Sequence, residues 1–85
     1  MKYRISVEPA ANRRLRRLPQ LAQDQIRFRI RALANDPRPH GVVKLTGRHD
    51  TYRIRAGDYR VVYEIHDRVL LVLVIEVDHR RDVYR

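Results

Sequence analysis

Three arginines, Arg53, Arg55 and Arg60, crowd the stretch Thr51 to Ile65, TYRIRAGDYRVVYEI. Guanidinium groups gathered in this way suit the clamping of phosphate, whose oxygens match their planar fork. Gly57-Asp58 reads as a two-residue hairpin loop between two alternating strands. With that loop, Ala56 faces Tyr59, Arg55 faces Arg60, Ile54 faces Val61 and Tyr52 faces Tyr63. Alternation puts Tyr52, Ile54, Val61, Tyr63 and Ile65 on a core face and the three arginines on the other. Arg55 and Arg60 would then have Cβ atoms roughly 5 Å apart, where like charges destabilise the pair. Such a face is either solvated, with its arginines splayed, or built to receive an anion.

Further residues extend this set. Arg80 alternates in phase with Glu76 beyond the last strand, and Tyr84 follows in the tail. Arginines around a phosphodiester stabilise the charge that grows on it during transfer. A tyrosine stacks on a base or exchanges a proton. Lys44 and Arg48, exposed ahead of the hairpin, and His79 and Arg81, at the basic end, are the candidates for holding RNA. Other chemistries find little support. His40, His49, His66 and His79 share no metal-ligand spacing, so no metal is expected. No glycine-rich phosphate loop or nucleophile elbow is present. Glu64 and Glu76 read as counter-charges to the arginines, which makes a carboxylate-based hydrolase a poor fit.

The elements that must position these groups are legible from periodicity. Lys2 to Val7 alternates as a half-buried strand. Glu8-Pro9 opens a short helix, since proline suits the first helical position and an acidic residue complements the dipole. Its apolar stripe is Ala11, Leu15 and Leu18, with Arg13, Arg14, Arg16 and Arg17 outside, and Pro19 ends it. A second helix is expected from about Leu21 to Asn35, with Ala22, Ile26, Ile30 and Leu33 inward and Arg27 and Arg31 opposite. Residues 36–41 form a loop by composition. Val43 and Leu45 read as anchors of a loop leading into the hairpin. His66-Asp67-Arg68 turns into Val69 to Val77, an unbroken apolar run that predicts an interior strand covered on both faces. The helices cover one face; a loop or a partner protein must cover part of the other. The expected fold is α+β: a mainly antiparallel four-stranded sheet with an N-terminal helical hairpin on one face, in the order β-α-α-β-β-β.

The chain has 85 residues, enough for one domain with a single core. Nineteen Lys+Arg against ten Asp+Glu give a formal charge of +9, which points to nucleic acid, an acidic protein or an anionic surface as partner. The chain has no cysteine, which excludes disulfides and thiolate metal sites and fits a reducing cytoplasm. The N-terminus lacks an apolar signal core, and the longest apolar run is too short to span a bilayer, so no membrane association is expected.

The order of these features resembles the RelE-type toxins of the RelE/ParE superfamily along nearly the whole chain, as a single domain over residues 1–85. The most specific parts are Lys44-Leu45-Thr46-Gly47, the run from Gly57 to Tyr63 (GDYRVVY), and the ending His79-Arg80-Arg81-Asp82-Val83-Tyr84. The resemblance implies a toxin of a type II toxin-antitoxin system that cuts messenger RNA in the ribosomal decoding site and so inhibits translation. The ribose 2′-hydroxyl attacks the adjacent phosphate, with no metal and no cofactor. It also implies a cognate antitoxin that masks the toxin, with a toxin-antitoxin heterotetramer as the assembly it points to. The catalytic positions of such toxins correspond here to Arg53, Arg55, Arg60, Arg80 and Tyr84. The first two are often lysine in that subgroup. Arginine does not give up its proton, so Arg53 and Arg55 are excluded as general bases, leaving Tyr84, His79 or the ribosome. Two alternatives stay open: a ParE-like inhibitor of DNA gyrase without nuclease activity, and a non-catalytic nucleic-acid-binding module.

Overall fold

The computed structural model describes residues 2–79. The first strand, β1 (Arg4–Val7), leads through the extended Glu8 into α1 (Pro9–Arg16), with the proline in the first turn as expected. Ala11 and Leu15 are buried, and Leu18 packs against the same core. The end of α1 is closed from the next helix: the Gln23 side-chain amide donates to the carbonyls of Leu18 at 2.8 Å and Arg16 at 3.2 Å. That satisfies acceptors which helix ends otherwise leave open. Helix α2 (Gln20–Ala32) buries Ala22, Ile26 and Ile30, and Leu33 at its C-cap is buried too. It stops three residues short of the expected Asn35, in a turn.

The sheet has five strands, in the order β1-β5-β4-β3-β2. They include β2 (Val43–Lys44), β3 (Thr51–Ala56), β4 (Tyr59–His66) and β5 (Leu71–His79). β1 pairs parallel to β5, and the remaining pairs are antiparallel. The expected four strands are thus corrected to five. The added strand is a two-residue edge pairing of Val43 with Arg53 and Lys44 with Tyr52, too short to leave a period in the sequence. Val43 is not the anchor expected of it. It is 43% exposed, and Val42 packs against the core instead.

The hairpin forms in the expected register, with Ala56 opposite Tyr59, Arg55 opposite Arg60, Ile54 opposite Val61 and Tyr52 opposite Tyr63. Gly57 alone carries the positive φ of the turn, +60°, the II′ geometry that matches strand twist. Both helices lie on the Tyr52/Ile54/Val61/Tyr63 side, where the core gathers Leu15, Ile26 and Leu33 against Ile65, Val72, Val74 and Val77.

β5 is interior to the sheet, as expected, but its apolar run hides an irregularity. Val62 pairs with Glu76 and Tyr63 with Val74, so Ile75 is an extra residue, a β-bulge. A bulge re-aims the side chains that follow it. Here it lets Val74 and Val77 both face the core, while Glu76 and Asp78 turn to the face of the arginines. On that face Leu71 and Leu73 remain half-buried, so β5 is only partly covered there, while Ile75 at the bulge lines a hollow with Ala10, Ala11 and Arg14 of α1.

Candidate functional site

On the helix-free face, Arg53 from β3 and Arg60 from β4 line one cavity of about 190 Å³. Leu45 and Arg48 form its rim from the loop after β2. Val62, Glu76 and Asp78 complete the wall. Arg60 is 4% exposed, an unusual depth for a guanidinium. Arg53 is half-buried.

The rim is held by backbone contacts that the loop sequence makes possible. Gly47 adopts φ +78° and Asp50 φ +54°, conformations that favour glycine and tolerate aspartate. The Leu45 amide donates to the Thr51 carbonyl at 2.9 Å, and the Ile65 amide donates to the Asp50 carbonyl at 2.9 Å. The buried Thr51 hydroxyl donates to the His49 carbonyl at 3.0 Å. Arg48 is thereby carried to within 3.9 Å of Glu76. Three guanidiniums against two carboxylates leave the cavity positive, while the carboxylates moderate the repulsion among the arginines.

The other expected residues fall in different places. Arg55 faces Arg60 across the hairpin but is absent from that cavity; its main chain borders a separate cavity against α2, where its carbonyl accepts from Arg29 at 3.1 Å. Lys44 pairs with Tyr52 and so belongs to the opposite face from Arg53. His79 pairs with Tyr59 and packs edge-on against its ring, at 5.1 Å and 85°, on the helix-bearing side. Arg80, Arg81 and Tyr84 lie outside the described residues. Asp78 is the cavity residue that sequence reasoning missed. Its period-two spacing from Glu76 was visible, but the bulge that turns both toward Arg60 was not.

A second polar cluster stands at the opposite end of the sheet and serves the fold. Arg38 donates to both Asp67 oxygens, at 3.2 and 2.9 Å, and the Tyr3 hydroxyl donates to the same carboxylate at 2.6 Å. These bonds, Arg38 first, hold the Asp67 carboxyl down at about 2. Arg38 also lies 5.2 Å from the Tyr52 ring centre and donates to its hydroxyl at 3.3 Å. Beneath it the fully buried Tyr63 donates to the Pro37 carbonyl at 2.7 Å, and burial pushes its phenol above the ordinary range. The 36–40 loop is thus pinned to the β4–β5 connection.

The sequence and the α+β scaffold are matched by known proteins. Residues 5–84 match the family described as ParE toxin of type II toxin-antitoxin system, parDE. The chain belongs to the RelE/ParE superfamily of toxins. It is a RelE-type toxin of a type II toxin-antitoxin system. Toxin RelG of Mycobacterium tuberculosis is 31% identical over 86 residues, covering 100% of this chain and 99% of that protein. The mRNA interferase toxin RelE of Escherichia coli is 30% identical over 82 residues, covering 94% of this chain and 85% of that protein. Among solved structures, the archaeal RelE-RelB complex from Pyrococcus horikoshii matches with a TM-score of 0.84 at 28% identity, covering 94% of this chain and 97% of that one. The isolated E. coli RelE toxin matches with a TM-score of 0.80 at 29% identity, covering 96% and 90%. Among the described residues, no helix of this RelE-type toxin is long and apolar enough to cross a membrane.

Proposed function

We propose that this toxin is a ribosome-dependent endoribonuclease that cuts messenger RNA without a metal. The observation that carries the reading is the convergence of Arg53 and the buried Arg60 on one small positive cavity. Relatives named mRNA interferase support the substrate class. A buried guanidinium is preorganised: it needs no reorientation when charge develops on the phosphate, and low local dielectric strengthens its effect. Arg53 and Arg60, joined by Arg80 as the family likeness suggests, bind the non-bridging oxygens.

The 2′-hydroxyl attacks the adjacent phosphorus, and the bond to the 5′ oxygen breaks. The products are a 2′,3′-cyclic phosphate and a 5′-hydroxyl. The 2′-hydroxyl proton needs an acceptor, and arginine cannot serve. Glu76 is engaged with Arg48, so the role falls to Asp78, the other carboxylate of the cavity. Tyr84, the acid-base residue of the family likeness, donates the proton that the leaving 5′ oxygen takes up. Arg48, on the cavity rim, binds a flanking phosphate.

A cognate antitoxin is the proposed protein partner, by extension from the RelE-RelB complexes among the structural relatives. The half-exposed Leu71 and Leu73 offer it apolar surface on the same face as the site.

Primer extension on a translated message, with purified toxin and ribosomes, is the test. Cuts that depend on translation are the expected result. An intact message at every codon, where a RelE relative cuts in parallel, overturns the proposal. Induction that triggers a DNA-damage response while translation continues would assign the chain to gyrase inhibition instead.

A further inference from the structure

Arg55 is the expected site residue that stands apart from the arginine cavity, and the place it occupies has a chemistry of its own. The second cavity, of about 470 Å³, lies between the hairpin tip and α2 and is lined by Gln25, Phe28, Arg29, Arg55, Ala56 and Gly57. Its volume falls in the range of small-ligand sites. No carboxylate lines it. Phe28 is 66% exposed on the outer side of α2, where a solvated helix face ordinarily carries polar residues. Arg29 is held at the cavity because its Nε donates to the Arg55 carbonyl at 3.1 Å. Gln25 lies against the hairpin tip, where a Cβ on Gly57 would fall 2.8 Å from its Oε1. An exposed ring, the Arg29 guanidinium and a carboxamide around an open hollow are the parts of a single-stranded nucleotide site. The ring stacks on a base, the Arg29 guanidinium takes the phosphate, and the amide meets a base edge.

Position strengthens the case. Arg55 is the cross-strand neighbour of Arg60, whose side chain lines the arginine cavity. Directly opposed residues have Cβ atoms roughly 5 Å apart. The two hollows lie on opposite faces of the hairpin and share its tip, so an RNA strand with its scissile phosphate at Arg60 reaches the second one by rounding Gly57. An acidic peptide would use the guanidinium as well, and the exposed Leu21 two turns before Phe28 would offer it apolar surface, so the test includes one.

We infer that the Phe28/Arg29/Arg55 cavity is an RNA subsite that stacks one nucleotide flanking the cleavage point. The inference rests on the nuclease reading, and its test is separable from that reading. The probe is a fluorescent hexanucleotide with 2′-O-methyl groups, which the toxin cannot cleave, alongside a dinucleotide of the same chemistry. Binding to the purified full chain is followed by anisotropy.

Phe28→Ala should weaken hexanucleotide binding by about tenfold, as the loss of one base stack does, and leave the dinucleotide unaffected. Phe28→Tyr should restore the affinity. Arg29→Gln should lower the slope of log K against log salt by about 0.7, the value for one phosphate of a single strand. Phe28 is exposed, so its replacement spares the core. Equal affinity of Phe28→Ala and the unaltered chain overturns the inference, as does no binding of the hexanucleotide at low salt. Phe28-dependent binding of a glutamate-rich peptide in place of RNA also overturns it and assigns the cavity to a protein partner. Message cleavage with Phe28-independent RNA binding removes the subsite and leaves the nuclease reading standing. Phe28-dependent binding without cleavage does the reverse.

Discussion

Replacing Arg60 should damage cleavage more than replacing any arginine on the helices, and the size of the loss follows from its depth. A charge difference of about one unit at roughly 4 Å, at an effective dielectric near 20, is worth about 4 kcal/mol. Arg60 is 4% exposed, which meets the dielectric condition, and direct contact with the proposed phosphate would supply the distance. The figure agrees with the loss of about 10²- to 10³-fold in rate seen when one preorganised stabilising donor is removed. Arg60→Ala should therefore slow cleavage by that factor. Arg60→Lys keeps the charge and loses the planar fork, and should retain part of the rate. Arg48 offers the contrast. Its side chain is 50% exposed and already 3.9 Å from Glu76, so a near-aqueous dielectric applies. Its loss should cost about 1 kcal/mol, or roughly fivefold. Arg27, on α2 and bonded to Gln23 at 3.4 Å, is the control and should have no effect beyond general attraction. The assay is the rate of translation-coupled primer-extension product, with circular dichroism to establish that each variant is folded. Equal losses for Arg60→Ala and Arg27→Ala would mean that the arginine cavity is not where the phosphate binds.

The proton acceptor can be tested separately. Asp78→Asn should lower the cleavage rate by about 10²-fold or more while leaving RNA binding intact. An unchanged rate, with Tyr84→Phe causing that loss instead, would transfer the base role to the tyrosine. Stability should depend on Asp67 in acid. Its carboxyl lies at about 2 against an ordinary 3.8, so its stabilising effect is complete above the ordinary value and disappears as pH falls through the lower one. Urea unfolding of the unaltered chain and Asp67→Asn should differ at neutral pH and converge between pH 4 and 2; a constant gap would show that the pairing with Arg38 and Tyr3 contributes nothing. Tyr63→Phe removes the hydroxyl that donates to Pro37 and should cost about 1 kcal/mol, which lowers Tm by roughly 4–8 °C in a domain of this size. An unchanged Tm would mean that the loop carbonyl is satisfied equally well by water.

Local patterning determined much of this molecule. The alternation around Gly57-Asp58 specified the hairpin register to the residue, because a one-residue slip would have exposed Tyr63 and Ile65 and buried Arg53. Proline at the start of α1 and Pro19 after it delimited the first helix, and the stripe from Ala22 to Leu33 named the buried side of the second. These are properties of neighbouring residues, so they survive without knowledge of what lies across the fold. The edge strand Val43–Lys44 was not legible, since two residues carry no period and the pairing is set by Arg53 and Tyr52.

The arginine cavity depended on long-range placement. The extra residue at Ile75 is invisible inside an unbroken apolar run, because every residue there suits either face. Only pairing with β4 decides where the ladder slips, and that slip turns Glu76 and Asp78 toward Arg60. Likewise Arg53 and Arg55 share one strand face, yet Arg53 lines the deep cavity and Arg55 does not, while the Arg55 carbonyl is what meets α2. Side-chain alternation assigns a face; the neighbours that enclose it come from other elements, and only their packing settles which cavity an arginine enters.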